Sequence, residues 1–443
     1  MNTSTKLIVG ALLTGCLIYI VSPGPMHLLE DQSGWEVREQ LVYVTGMCTI
    51  SLMVLSMILS IRVEYITNLT GGLDKTYIVH KWTGIFSTLF AVLHWSTEKV
   101  PHWLVELSII SNPGELTDGS QFSELEITLF QSGVLLAEVF FYVFIVLIAI
   151  AIFTKIPYRF FRRSHKLFPV VFLLLSYHAA TAPLKEHWLE SPAFYILGIM
   201  LVVGCVAACI ALFQQIGQSR KVQTIITAID QHRMGILDIQ LKTTDRPLSY
   251  TPGQYVFLQF AHDNEPHPFS IASFTNGDPI LRFAIKEMGV FTRELPSHIY
   301  IGQRVIIEGP YGNFTFKDSC QRQIWIAAGI GITPFMAQLE YLSLHRGTDK
   351  PIDFWYCTRG ELASQYPSSI MELCKKNGIR FYSLNSSKGE YLTADILKKV
   401  VSDFTNVSIW FCGPEKFAKC LKKDLKQYHF ENAHFHYDSF SMR

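Results

Sequence analysis

The sequence is poor in charge: only 17% of its 443 residues are Asp, Glu, Lys or Arg, and the formal net charge is +1. It has no basic tract and no stripe of alternating basic and aromatic residues, which argues against a nucleic-acid partner. Nine cysteines are present, yet no C-x-x-C pair occurs, so neither a thiolate zinc site nor a disulfide framework is indicated. Cys16, Cys48, Cys205 and Cys209 sit in apolar runs, and Cys320, Cys357, Cys374, Cys412 and Cys420 are scattered. They read as thiols in a reducing compartment. Calcium-binding loops and long interaction tails are also missing, so no obligate protein partner or elaborate regulation is evident.

What the chain does have is hydrophobic residues, 49% of the total, concentrated before about residue 213. Six runs are long enough to cross about 30 Å of hydrocarbon as helices: 6–22, 41–61, 77–97, 130–153, 166–182 and 193–213. A cleaved signal peptide is the rival reading of the first, which follows Lys6. No small-residue cleavage site follows it, and Ser22-Pro23-Gly24-Pro25 reads as a turn, which favours a retained span. The 154–166 loop carries Lys155, Arg159, Arg162, Arg163 and Lys166 and no acid. Acids dominate the 23–40 and 98–129 loops, among them Glu30, Asp31, Glu36, Glu39, Glu98, Glu106, Glu115, Asp118, Glu124 and Glu126. The positive-inside rule then places the basic loop, both termini and the polar C-terminal half in the cytoplasm. This describes a multi-pass protein of the cell (inner or plasma) membrane, with the lipid bilayer as its first partner. The linker Gln214 to Lys221 is short enough to hold the soluble half at the inner face.

The third run contains His80 and His94, and the fifth contains His165 and His178. Spacings of 14 and 13 residues correspond to roughly 20 Å of helical rise. Two neighbouring helices would therefore offer facing imidazoles at two depths, His80 with His165 and His94 with His178. Two stacked bis-histidine haems require this arrangement, and iron with two imidazoles passes electrons without binding oxygen on the metal. The plainer alternative is a polar side chain facing the bundle interior. Ionisable groups at membrane depth are costly, however, and four of them matched by helix and depth favour ligation. Thirteen residues do not restore the same helix face, and Pro169, between His165 and His178, is a candidate kink.

From Val222 onward short β-type runs appear, such as Val256–Phe260 and Arg304–Glu308, predicting an antiparallel barrel to about residue 318. Beyond it the signals alternate: strand Gln323–Ala328, helix Pro334–Leu344, strand Ile352–Cys357, helix Ser368–Asn377, strand Arg380–Leu384, helix Thr393–Phe404 and strand Val407–Cys412. Such alternation means a parallel sheet with helices on both faces. Three domains follow: a six-helix transmembrane haem bundle over 1–213, an antiparallel barrel over 214–318 and an α/β domain over 319–443.

His267-Pro268-Phe269-Ser270, after Pro252-Gly253-Gln254-Tyr255, resembles the flavin motif of the ferredoxin-NADP reductase superfamily, in the form used by ferric reductases and NADPH oxidases. The resemblance implies FAD, with Phe269 packing on the isoalloxazine and Ser270 hydrogen-bonded near its reactive nitrogen. It continues through Ile285-Lys286-Glu287-Met288-Gly289-Val290-Phe291-Thr292, where Lys286 and the backbone of Gly289, Val290, Phe291 and Thr292 would hold the flavin diphosphate. Gly309-Pro310-Tyr311-Gly312 is similar to the turn into the nucleotide domain. Gly329-Ile330-Gly331-Ile332-Thr333-Pro334 lies between a strand and a helix, where amides and the helix dipole bind a pyrophosphate. Phe411-Cys412-Gly413-Pro414 completes the nicotinamide site, and the resemblance puts Cys412 beside the ring during hydride transfer. Thr358-Arg359 suits a 2′-phosphate, favouring NADPH over NADH, although an ordinary loop arginine would look the same. His436-Tyr437-Asp438-Ser439-Phe440 is similar to the family's ending, which makes Phe440 the aromatic that covers the flavin.

The resemblance extends from about residue 41 to the C-terminus and includes the histidine spacings. It implies an NAD(P)H-dependent flavocytochrome, with Ser270 and Cys412 in catalytic positions, FAD, two b haems on His80, His94, His165 and His178, and a small-molecule acceptor outside. The acceptor is a ferric species or oxygen. NADPH oxidases of this kind tend to place an arginine near the outer haem, and the 41–61 span has none, which favours the ferric reading. A transporter or receptor sensing nucleotide redox state is the alternative from another class, and it leaves the histidines unused.

Overall fold

The computed structural model describes residues 3–30, 33–111, 123–153, 155–186, 188–232, 235–274, 277–345, 347–360, 367–431 and 434–437. The chain separates into two compact units, Met1–Ile216 and Gly217–Arg443.

The first unit is helical: α1 (Thr3–Ile20), α2 (Gly24–Glu30), α3 (Gly34–Ser60), α4 (Glu64–Thr70), α5 (Leu73–Glu106), α6 (Glu124–Ile152), α7 (Tyr158–His165), α8 (Phe168–Thr181) and α9 (Pro192–Leu212). Local chemistry sets the ends. Ser33 caps α3 by accepting from the Glu36 amide at 3.2 Å, Ser123 and Glu126 form a capping box on α6, and Pro192 opens α9. Tyr43, Met47, Ile50, Phe144, Phe172, Trp188, Leu197 and Leu201 build the buried core between α3, α6, α8 and α9.

Among the described residues five helices are long and apolar enough to cross a membrane: Thr3–Ile20, Gly34–Ser60, Glu124–Ile152, Tyr158–Leu184 and Pro192–Leu212. The remaining expected span, 77–97, lies on α5, whose 34 residues exceed any bilayer. Its stretch free of Asp, Glu, Lys and Arg, 82–97, rises only about 24 Å. Asp74, Lys75 and Lys81 on one side and Glu98 and Lys99 on the other dilute its hydropathy.

The second unit holds two sheets. One is six-stranded, of β1 (Lys221–His232), β2 (Ile236–Thr243), β3 (Tyr255–Phe260), β4 (Asp263–Ser270), β5 (Ile280–Lys286) and β6 (Arg304–Tyr311), with α10 (Val290–His298) between the last two. Its order is β4-β3-β6-β1-β2-β5, and every pairing is antiparallel. The expected barrel is seen as this open order; β4 and β5 stand at opposite edges. The other sheet is parallel, ordered β11-β10-β7-β8-β9. It uses β7 (Arg322–Ala328), α11 (Thr333–Leu344), β8 (Ile352–Thr358), α12 (Pro367–Lys376), β9 (Arg380–Asn385), α13 (Ala394–Val400), β10 (Val407–Cys412), α14 (Glu415–Leu425) and β11 (Phe435–Tyr437). Separate cores on its two faces, one around Trp325, Phe335 and Trp410 and one around Ile326, Leu397 and Phe411, make it doubly covered. α13 is shorter than the expected 393–404 because Val401 turns extended.

Candidate functional site

The four membrane histidines come together as two pairs. The His80 and His165 rings lie 6.0 Å apart between centres, inclined at 71°. Those of His94 and His178 lie 6.3 Å apart, inclined at 62°. A first-row metal bound by two imidazole nitrogens at about 2 Å, each about 1.1 Å from its ring centre, gives a centre-to-centre span of about 6 Å. The pairs therefore have the spacing of a metal-bridged bis-histidine site. On the α5 side the tautomer is fixed by α3. His80 Nδ1 donates to the Ser56 carbonyl at 3.1 Å, and His94 Nδ1 donates to the Val42 carbonyl at 2.9 Å. Each neutral ring then keeps its lone pair on Nε2, the atom available to a metal. Gly46 permits the close approach: a Cβ there would lie 3.1 Å from the His94 ring.

The 13-residue spacing on the partner side is resolved by a helix break. His165 ends α7, Leu167 caps α8, and Pro169 occupies the first turn of α8. The two histidines therefore need not share one helical phase. Proline acts here by starting a helix, where its missing N–H costs nothing.

One charged side chain near the His94 turn of α5 escaped the sequence reading. The span taken as 41–61 begins at Gly34, so it does contain an arginine. Arg38 Nε donates to the Thr97 carbonyl and Nη2 to the Glu98 carbonyl, each at 3.2 Å. Nη2 also bonds the Glu98 carboxylate and donates to His102 Nε2 at 3.3 Å. The available signal was Pro101 within α5, which deprives Thr97, four residues earlier, of its helical donor. The 41–61 stretch has no arginine, as read, but α3 extends seven residues further toward the N-terminus, and its polar first turns were hidden from hydropathy.

In the second unit, His267, Pro268, Phe269 and Ser270 form the end of β4, opposite Leu258, Phe257, Val256 and Tyr255 of β3. The β3–β4 hairpin and the α10 start meet there: the His267 ring stacks on Phe291 at 3.5 Å and 11° and bonds Asp263 at 3.0 Å. Phe269 packs partly into the sheet core with Phe291, and Ile285 is wholly within it. Lys286 ends β5 and is half-buried. Gly289 precedes α10, and a Cβ there would meet nothing within 4 Å, which leaves an open approach to the helix N-terminus. Thr292 Oγ1 accepts from the Met288 and Gly289 amides at 2.9 and 3.1 Å, so the amides available to an anion are those of Val290 onward. Two neighbours went unread: His262 stacks on His298 at 4.8 Å, and burial together with His298 holds the His262 ring below the usual imidazole range.

The residues expected to bind the nicotinamide nucleotide gather at the carboxyl edge of the parallel sheet, between β7 and β10, where strand order reverses. Gly329 (φ +59°) turns the chain out of β7. Gly331 is required by proximity: a Cβ there would fall 2.2 Å from the Cys412 carbonyl oxygen and 3.1 Å from the Gly413 amide. A Cβ on Gly413 would in turn fall 2.6 Å from that of Ala328. Thr333 and Pro334 begin α11, Cys412 ends β10 nearly buried, and Pro414 precedes α14. Thr358 is buried and donates to the Leu384 carbonyl at 3.2 Å, whereas Arg359 is exposed at the neighbouring β8 end. Phe440 lies outside the described residues. The two halves of this unit are tied by Glu340 of α11, which accepts from the Phe274 amide at 2.7 Å and lies 3.7 Å from Arg282. Among the described residues no disulfide joins any cysteines.

A membrane-type helical unit joined to a flavin- and nicotinamide-binding unit defines an electron-transfer oxidoreductase. Residues 45–176 match the family described as ferric reductase like transmembrane component, and residues 224–315 match the FAD-binding domain family. The chain thus carries a region similar to the ferric reductase like transmembrane component, followed by one similar to the FAD-binding domain family. The propane 2-monooxygenase reductase component of Mycolicibacterium goodii is 26% identical over 238 residues, covering 50% of this chain and 68% of that protein. The anthranilate 1,2-dioxygenase electron transfer component of Acinetobacter baylyi is 22% identical over 237 residues, covering 51% and 68%. The M. smegmatis propane 2-monooxygenase reductase component is 26% identical over 228 residues, covering 46% of this chain and 65% of its own length. Among solved structures, an Amycolatopsis cytochrome P450 reductase superposes with a TM-score of 0.45 at 20% identity, covering 50% and 70%.

Proposed function

We propose that the chain draws electrons from cytoplasmic NADPH, with NADH as the lesser donor, and passes them through FAD and two b haems to an acceptor on the outer membrane face. The acceptor is a ferric species. The observation that carries this reading is the pairing of His80 with His165 and of His94 with His178 at metal-bridging distance. In this reading α5 is the sixth crossing, its end charges sit at the two interfaces, and the β1–β6 sheet closes as a barrel around its core. The membrane is the inner or plasma membrane, and the second unit lies in the cytoplasm.

When bound, the flavin accepts a hydride and releases single electrons, which haem carries one at a time. The chain's own part is positioning. The Ser56 and Val42 carbonyls orient His80 and His94, and the α7–α8 break presents His165 and His178 to them. Lys286 and the Val290–Thr292 amides offer the flavin diphosphate a cation and a helix N-terminus. Ser270 offers a hydroxyl for the reactive flavin nitrogen. Gly329, Gly331 and Thr333 cradle the nucleotide pyrophosphate, Pro334 starts the helix behind it, and Thr358 and Arg359 receive the ribose end. Cys412, held against Gly331, flanks the nicotinamide ring and excludes water from it.

Arg38 favours a second reading, in which oxygen is the acceptor and superoxide the product. A cation one turn beyond His94 lowers the cost of a small anion formed there. Two assays separate the readings. Anaerobic NADPH oxidation that depends on ferric chelate supports the first. Aerobic oxidation matched by a superoxide trap, with no response to ferric chelate, supports the second. Failure of NADPH to reduce the flavin in either assay contradicts both.

A further inference from the structure

Between Glu138 and Glu186 the chain has no acidic residue, yet Lys155, Arg159, Arg162, Arg163 and Lys166 crowd the connection from α6 to α8. α7 occupies that connection. Its position follows from its neighbours: α6 (Glu124–Ile152) is long and apolar enough to cross a membrane, and α7 forms the charged first turns of the next such stretch, Tyr158–Leu184. At about 100° per residue, Arg159 and Arg163 fall one turn apart on a common face, and Tyr158, Phe161 and His165 fall on another. Lys155, Arg159, Arg163 and Lys166 are exposed, and among the described residues none of the four has an ion-pair partner. The apolar groups beside them are also uncovered: Phe153 is 63% exposed, Tyr158 51% and Phe160 56%. Uncompensated cations interleaved with exposed aromatic rings, on a short helix held at membrane depth, have the chemistry of an interfacial anchor.

We propose that α7 is a binding site for anionic phospholipid, with Arg159 and Arg163 on the headgroup phosphate and Phe160, beside them on the helix, seated among the first methylenes of the acyl chains. Charge complementarity selects the ligand, because a zwitterionic headgroup returns one positive charge for each phosphate offered. The consequence reaches the electron path. α7 ends on His165, whose ring packs against Phe161 of α7 at 5.1 Å and Phe168 of α8 at 4.8 Å. Lipid that holds α7 against the bilayer therefore holds the inner histidine in register with His80. The proposal rests on the membrane placement of α6 and α8 and not on the haem reading, so a colourless preparation that retains anionic lipid still supports it.

The test uses the full-length protein in nanodiscs of mixed phosphatidylcholine and phosphatidylglycerol, re-extracted for native mass spectrometry, with trypsin protection as a second readout. Wild type is expected to retain phosphatidylglycerol preferentially and to be cut more slowly after Arg159 and Arg163 in phosphatidylglycerol than in pure phosphatidylcholine. R159Q/R163Q, which keeps Lys155, Arg162 and Lys166 for orientation, is expected to lose the preference by about five-fold per charge. R159K/R163K keeps the charge and is expected to keep the lipid. Equal retention of the two lipids by wild type overturns the proposal. So does an unchanged preference in R159Q/R163Q with a wild-type melting temperature, or displacement of the lipid by millimolar inorganic phosphate, which marks a small-anion site instead.

Discussion

Arg38 donates from Nε to the backbone oxygen of Thr97 at 3.2 Å, and Thr97 is the residue whose helical donor is replaced by Pro101. One side chain from α3 thus supplies the donor that Pro101 withholds a turn beyond His94, while its guanidinium neutralises Glu98. Lys99 pairs with Glu138 at 3.0 Å in the same way. Replacing Arg38 by Ala strands a carbonyl and a carboxylate, and a loss of about 1–3 kcal/mol is expected. Thermal unfolding measures it. R38K is expected to restore only part, since an ammonium cannot fork to Thr97 and Glu98 together.

His94 and His178 form the second of the two pairs, the outer one in the proposed orientation. In H94A or H178A, acceptor reduction is expected to fall at least about 100-fold, the scale of a lost metal ligand. Flavin reduction by NADPH under stopped flow is expected to stay within about two-fold, because the second unit is untouched. Loss of flavin reduction in folded H94A contradicts this division of labour.

Gly331 stands where a methyl group would strike the Cys412 carbonyl. G331A is expected to push the β7–α11 and β10–α14 loops apart at about 1–3 kcal/mol. The Michaelis constant for NADPH should rise while FAD content is unchanged. An unaltered Michaelis constant argues that the nucleotide binds elsewhere.

Two carboxylates give opposite pH signatures. Burial pushes Asp318 up, but Ser408, Lys350 and Trp410 outweigh it and hold the group below its ordinary 3.8. Its stabilising effect is therefore present above that value and lost as pH falls through the lower folded one. D318N should be less stable than wild type at neutral pH and converge with it in acid. Burial raises Glu340 above its ordinary 4.5, against the Phe274 amide and Arg282. The folded state then binds the proton more tightly, so the carboxylate opposes folding above the raised value and is relieved as pH falls. E340Q should melt higher than wild type at neutral pH, with the gap closing below about pH 4.5. Denaturation curves across pH check both signs.

The parallel sheet was legible strand by strand because each buried run was bounded by glycine or proline and followed by a helical pattern. β11 was not, since three residues make a strand only by pairing with β10. The histidine pairs were legible from depth alone. Their phase was not, because hydropathy ran through Lys166 and Leu167 without marking the break that Pro169 sets. The start of α3 was hidden for the opposite reason: Glu36, Arg38 and Glu39 read as loop, although Ser33 with Glu36 is a helix start. Closure of a sheet depends on long-range pairing that no local pattern encodes, which is why the barrel expectation outran the hydrogen-bonded order.

The most direct measurement is the pyridine haemochrome content of purified full-length protein, set beside that of H94A/H178A. Two b haems per polypeptide in the wild type, one in the double variant, and split low-temperature bands on reduction are expected. Well-folded wild-type protein with no porphyrin, or with full content after both outer histidines are removed, contradicts the claim that the imidazole pairs carry the electrons.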